Sequence, residues 1–381
     1  MAGRSSLAAV NPTQIMWAWH TSAVAQAPEG GAVWDGHTHT GTQDPDGVRG
    51  YSDVLLEALA EAGHAGAVVM SNANPDGYPQ ANDRIWEEAE ASEGRLIPFC
   101  RVDPNDGAGA VAELERSLDK GHRGVKLHPR AEAFSMASDG VAMVAAVAAE
   151  RAVPILVHAG RGIPSLGDAT TRLLTATPGL SIILAHCGIS DLSRLGSVAA
   201  EVPGLYFDTS WWDVTDRLAL HAWVPPHRIL YASDTPYGWP ILSFAMTLRT
   251  ARASGYADLQ LSGLLGENLL ALVDGRQPPD LGPSAGTNRI LADPGLIRVH
   301  ASIHGALVSF FAGADITEPL SLARLGCDVA DGTPHEPVYR AIAATLDAVD
   351  RDSGDRRLNL GLLIQASGAS LTPEVSVPDL G

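Results

Sequence analysis

The chain has 381 residues, 45% of them apolar, with 44 acidic against 26 basic side chains and a formal net charge of −18. So acidic a surface repels phosphate backbones and anionic lipid, which excludes nucleic acid and membrane as expected partners and leaves a small-molecule substrate. Three cysteines, an odd and sparse number, suit reduced thiols in a cytoplasm better than a disulfide framework.

Residues 1–31 read as a short N-terminal prefix. Asn11, Pro12 and Gln14 interrupt the apolar run that a signal peptide would keep. No stretch approaches the roughly twenty apolar residues of a membrane span.

Between residue 32 and about residue 252, short apolar runs alternate with amphipathic ones. The candidate strands are 32–35, 67–70, 96–102, 124–127, 154–157, 181–185, 205–208 and 229–233. Helical patterns such as SDVLLEALAEAGH and AGAVAELERSLDKG lie between them, several opening on Ser or Asp and closing near Gly. Near-continuous apolar strands separated by helices predict a parallel sheet covered on both faces. Eight such units favour an α/β fold of the (β/α)8 TIM-barrel type over an open doubly wound sheet. The barrel is expected over 32–275. A Pro/Gly/Ser-rich linker, RQPPDLGPSAGTN, then leads into 285–381, which reads as a helical C-terminal extension.

The strand ends carry the chemistry. The first reads VWDGHTHTG, where His37 and His39 are two apart and share a face. The fourth, GVKLHPR, puts Lys126 and His128 on one face; the fifth, PILVHAG, ends in His158. The sixth, SIILAHCG, ends in His186, and the eighth, ILYASDTPYG, in Asp234. In the last three an apolar residue two positions earlier, Leu156, Leu184 or Ala232, is expected to fill the barrel while the polar one reaches its C-terminal mouth. A lone histidine at a strand end is ordinarily a satisfied polar residue. Four histidines and an aspartate in one register point instead to a site for Zn²⁺ or a similar divalent ion such as Mn²⁺ or Fe²⁺.

At these residues the chain resembles the amidohydrolase superfamily, in its amidohydrolase-2 branch. DGHTH, KLHP, VHAG, LAHCG, SDTPYG and the closing GENLLAL carry the resemblance, which spans roughly residues 32–273. It implies that His37, His39, His158 and Asp234 bind the principal metal. His186 would hold a second metal or polarise the substrate, and Asp234 would also shuttle a proton. In binuclear members a carboxylated lysine on the fourth strand bridges two ions, a role open to Lys126. The alternative for Lys126 is a buried ion pair, for example with Asp35. Lysine is rare here: Lys120 and Lys126 are the chain's two lysines.

Around the mouth, His128, Arg130, Arg161, Trp211 and Trp239 are the candidate substrate-binding residues, the arginines for a carboxylate and the tryptophans for an apolar wall. Solvated arginines and ordinary aromatic packing are the competing readings. The expected activity is hydrolysis of an amide, lactone or related carbonyl compound. Non-oxidative decarboxylation of a carboxylic acid, aromatic acids included, is the alternative. A homo-oligomer is compatible with the sequence.

Overall fold

A computed structural model describes residues 11–289, 293–349 and 355–380. Helix α1 (Pro12–Val24) precedes the barrel, started by Asn11, whose side chain accepts the Thr13 N–H, with Pro12 at the first helical position. The sequence reading assigns no element to this prefix.

The barrel then alternates strand and helix. Strand β1 (Trp34–Thr40) leads to α2 (Ser52–Glu61), and β2 (Gly66–Ser71) to α3 (Pro79–Ala91). The third barrel strand is in two pieces, β3 (Leu96–Pro98) and β4 (Cys100–Arg101), followed by α4 (Ala108–Lys120). Next come β5 (Val125–Leu127) with α5 (Asp139–Glu150), and β6 (Ile155–Val157) with α6 (Gly167–Ala176). They are followed by β7 (Ile182–Leu184), α7 (Leu192–Gly196), β8 (Leu205–Asp208) and α8 (Val214–Trp223). Strand β9 (Ile229–Leu230) and α9 (Pro240–Ala253) complete the eighth unit. Two short helices, α10 (Asp258–Ser262) and α11 (Asn268–Val273), follow.

All strand pairs are parallel and run in chain order. Between β3 and β4 continuity passes through Phe99, whose N–H donates to the Val69 carbonyl at 2.9 Å. The circle is joined between β1 and the segment after β9. Gly36 N–H donates to Tyr231 O at 2.9 Å, Asp234 N–H to His37 O at 2.8 Å and His39 N–H to Thr235 O at 2.7 Å. The fold is an α/β barrel of the (β/α)8 type with a C-terminal helical region.

Register decides what faces inward. Arg101, Lys126, Leu156, Ile183 and Tyr206 are successive cross-strand partners from β4 to β8. Leu156, Ile183 and Tyr206 pack with Val68, Met70, Phe99 and Leu230 in one cluster, stoppered by Leu269 and Leu272 of α11. Each such fully buried side chain contributes about 1.5–3 kcal/mol. The first strand corrects the sequence reading by running on to Thr40, so His37 and His39 lie within it.

The sixth strand corrects it too. Ile183 and Ala185 face the interior, whereas Leu184 packs with the helix layer. His186 still reaches the mouth because the chain turns there at φ +58°, a left-handed conformation that alternation could not foretell.

The C-terminal region consists of α12 (Pro294–Phe311), α13 (Thr317–Gly326), α14 (Glu336–Asp347) and α15 (Arg356–Leu371). Asp293 and Asp355 cap α12 and α15 through the Leu296 and Leu358 N–H groups. These helices share a single apolar core with Ile15, Met16 and Trp19 of α1, Val214 and Leu218 of α8, and Ile241 and Met246 of α9. Gly361 to Ser370 of α15 are all buried, so α15 runs through the middle of this layer.

Candidate metal centre and substrate pocket

His37 and His39 project from one face of β1, and their Nε2 atoms lie 3.0 Å apart. Asp234 Oδ1 is 3.4 Å from His37 Nε2 and 3.3 Å from His39 Nε2. The outer partners of the rings settle the tautomers. His37 Nδ1 faces Asp208 Oδ2 at 2.9 Å, and His39 Nδ1 faces the Ser71 carbonyl at 3.4 Å. An ionised carboxylate and a carbonyl only accept, so each Nδ1 carries the proton and each Nε2 presents a lone pair. Burial, followed by the nearby Lys126 ammonium, holds both imidazole pKa values well below the usual range, which favours the neutral rings.

Two imidazole lone pairs and a carboxylate oxygen thus point at one another with no proton to share between the rings. A divalent cation resolves that repulsion. Tetrahedral bonds of about 2.0–2.1 Å to nitrogen and oxygen give ligand separations of roughly 3.3 Å, which the three observed spacings match. Among the described residues, His37, His39 and Asp234 form the group able to hold a metal ion.

The other expected ligands stand beside this group. His186 Nδ1 faces the Ser210 carbonyl at 2.9 Å, so its Nε2 accepts from His158 Nδ1 at 3.0 Å. His158 Nε2 is then a buried lone pair with no partner among the described residues. That is an orphaned nitrogen of the kind a metal takes up. His186 Nδ1 lies 4.0 Å from Asp234 Oδ2. His128 is stacked flat on His158, ring centroids 4.0 Å apart.

Lys126 is fully buried, with Nζ 2.9 Å from His37 Nε2. Burial lowers its pKa, and Asp234 opposes the shift. No carboxylate lies within ion-pairing distance of Nζ among the described residues.

The supporting shell is built from both ends of the sheet. Asp35 Oδ1 accepts the N–H of His37 at 3.1 Å and of Ser233 at 2.9 Å, so one carboxylate ties the β1 histidines to the Asp234 segment. Burial raises its pKa to about 7. Asp208 Oδ1 accepts from the His186 N–H at 2.8 Å and from the Ser210 hydroxyl at 2.5 Å. Asp234, like His186, sits at positive φ, +61°. Such strain collects at functional sites, where the surrounding bonds hold it.

The family model described as amidohydrolase matches residues 34–262. The chain belongs to the amidohydrolase family. Among curated proteins none matches the sequence. Solved structures share the fold at low identity. A candidate amidohydrolase from Staphylococcus aureus has a TM-score of 0.53 at 15% identity, over 64% of this chain and 99% of that one. 5-Carboxyvanillate decarboxylase from Sphingomonas paucimobilis gives 0.52 at 13%, over 64% and 99%. 2,6-Dihydroxybenzoate decarboxylase from Rhizobium gives 0.51 at 16%, again over 64% and 99%. Helices α12–α15 lie beyond the part of this amidohydrolase that the family model matches.

Above the metal group opens a cavity of about 1420 Å³, lined by His128, Arg130, Arg161, Trp211 and Trp239 among others. The Arg161 guanidinium stands 5.1 Å from the Trp211 ring centre, 5.6 Å from Trp212 and 5.1 Å from Phe311 of α12. Arg101 faces inward as well, paired with Glu132 at 2.6 Å, and the Tyr78 hydroxyl donates to the same carboxylate.

Sequence reasoning missed Asp208, Ser210, Tyr78, Glu132 and the C-terminal contributors to the pocket. Asp208 had a signal: it closes the apolar run LYFD as Asp234 follows ILYAS. Tyr78 and Glu132 lie on loops and had none.

Proposed function

We propose that this amidohydrolase is a metal-dependent hydrolase that activates water against an amide, lactone or related carbonyl group. The observation that carries the reading is the convergence of His37 Nε2, His39 Nε2 and Asp234 Oδ1 within 3.4 Å, with both Nδ1 protons committed elsewhere. The mixed nitrogen and oxygen set suits Zn²⁺ first, and Mn²⁺ or Fe²⁺ next. Such an ion, when bound, acidifies a water to near-neutral pKa and polarises a carbonyl oxygen.

The chain's own groups do the rest. Asp234 Oδ1 faces the two histidines while its other oxygen looks toward His186. From there the carboxylate accepts the proton of the attacking water and delivers it to the leaving atom. His158 Nε2 would complete the ligand set. His186, its Nδ1–H facing the Ser210 carbonyl, holds His158 in the required tautomer. His128, Arg130, Arg161, Trp211 and Trp239 would position the substrate. The three cysteines are unpaired and buried, in keeping with a reducing, cytoplasmic setting. No helix of the described residues is long and apolar enough to cross a membrane.

A second reading is decarboxylation. It is favoured by Arg130 and Arg161 at the mouth, neither paired with a carboxylate among the described residues. Product analysis decides between them: incubation with esters, lactones and amides against aromatic carboxylic acids, scored for acid release or for CO₂. Acid release abolished in Asp234→Asn supports the hydrolase; CO₂ release with no hydrolysis overturns it.

A further inference from the structure

The cavity exceeds what a compact substrate needs. Its volume of about 1420 Å³ stands against roughly 300–1,000 Å³ for ordinary ligand pockets. The wall that makes it large does not come from the barrel loops alone. Leu242 and Met246 of α9 face it together with Leu360, Gly361 and Ile364 of α15. Leu242 and Leu360 are half-buried, while Met246 and Ile364 are no more than 3% exposed, so this side of the cavity is apolar and backed by packed core. α15 lies close enough to α1 that a Cβ on Gly361 would sit 2.6 Å from the Met16 side chain, so this wall is tightly packed against the N-terminal helix.

Charge divides the rest of the rim. Asp44, Asp46, Asp76, Asp103 and Asp106, on loops after β1, β2 and β4, occupy one sector. Arg130 and Arg161, after β5 and β6, occupy the next. Arg161 is fixed among Trp211, Trp212 and Phe311, the last supplied by α12. In a chain of net charge −18, two guanidiniums without carboxylate partners among the described residues, at one side of a pocket, mark where an anion is held.

We propose that the C-terminal helices are the specificity wall of this active site, and that the substrate is an anionic carbonyl compound with an apolar arm longer than one ring. The anion sits at Arg130 and Arg161, and the arm lies against Leu360 and Ile364. Only the word carbonyl rests on the hydrolytic reading above; the binding surface stands without it.

The test is calorimetric titration of the full chain with butanoate, hexanoate, octanoate and decanoate, and with octylammonium as the opposite charge. Affinity should rise about fourfold per methylene as the arm covers the apolar wall, and octylammonium should bind at least tenfold more weakly than octanoate. Ile364→Trp should cut octanoate affinity at least tenfold while leaving butanoate unchanged; Leu360→Trp serves if that variant does not fold. Arg161→Met should weaken every carboxylate by the same factor. Affinity independent of chain length in the unaltered protein overturns the proposal, as does equal loss of butanoate and octanoate in the tryptophan variants. Chain-length dependence that persists in protein shown to bind no metal would sink the hydrolytic reading alone.

Discussion

Asp208 holds His37: its Oδ2 accepts the Nδ1–H of the imidazole at 2.9 Å, deep in the barrel where both side chains are 1% exposed. This bond fixes the tautomer that keeps the His37 Nε2 lone pair unprotonated for a cation, and the other carboxylate oxygen holds the His186 backbone. Asp208→Ala removes both restraints. Metal affinity should fall about 10- to 100-fold, measured by competition with a chelator of known affinity. An unchanged affinity would mean the His37 ring is oriented by other contacts.

Asp234→Asn keeps the shape of the side chain and removes its basicity. Turnover should fall by about 10²–10⁴, with the circular dichroism spectrum and melting temperature near those of the parent protein. Near-normal turnover would show that the proton moves through another group.

Lys126 touches His37 Nε2, one of the three converging ligand atoms. One metal ion per chain is expected at His37, His39 and Asp234, and Lys126→Met should retain it. Two equivalents falling to one in this variant would instead show that Lys126 bridges a pair of ions as a carbamate.

Gly238 packs against the backbone that carries Asp234. A Cβ there would lie 1.9 Å from the Ser233 carbonyl oxygen, while the Gly238 N–H donates to the Asp234 carbonyl at 2.8 Å. Gly238→Ala should cost about 1–3 kcal/mol by overpacking and weaken metal binding as Asp234 shifts. Denaturant unfolding and metal titration measure the two effects separately; a variant normal in both would contradict the packing.

Deleting residues 293–380 strips one side of a core shared with Ile15, Trp19, Leu218 and Ile241. The truncated chain should aggregate or bind a hydrophobic dye strongly, despite a linker composition that suggests a separable extension. A monodisperse truncated barrel without dye binding would show that α1, α8 and α9 close over the gap.

Much of this was legible because a barrel writes its site into strand ends. His37 and His39 read directly from DGHTH, Lys126 sits inside GVKLHPR, and His158 and Asp234 follow apolar runs of the expected length. Alternation failed at His186, where a positive-φ turn replaces the last strand residue. The dependence of Arg161 on Phe311 joins residues 150 apart, and no local pattern announces such a contact. Nor does the sequence of α15 disclose that Ile364 looks into the pocket, since Gly361 to Ser370 are buried throughout.

The most direct test of the central claim is metal content per chain by elemental analysis, on protein purified without chelators or a metal-binding tag, beside the double variant His37→Ala/His39→Ala. The account predicts about one equivalent of a divalent transition metal in the parent protein and almost none in the variant. No metal in the parent even after soaking with Zn²⁺ or Mn²⁺, or equal metal in both proteins, would contradict it.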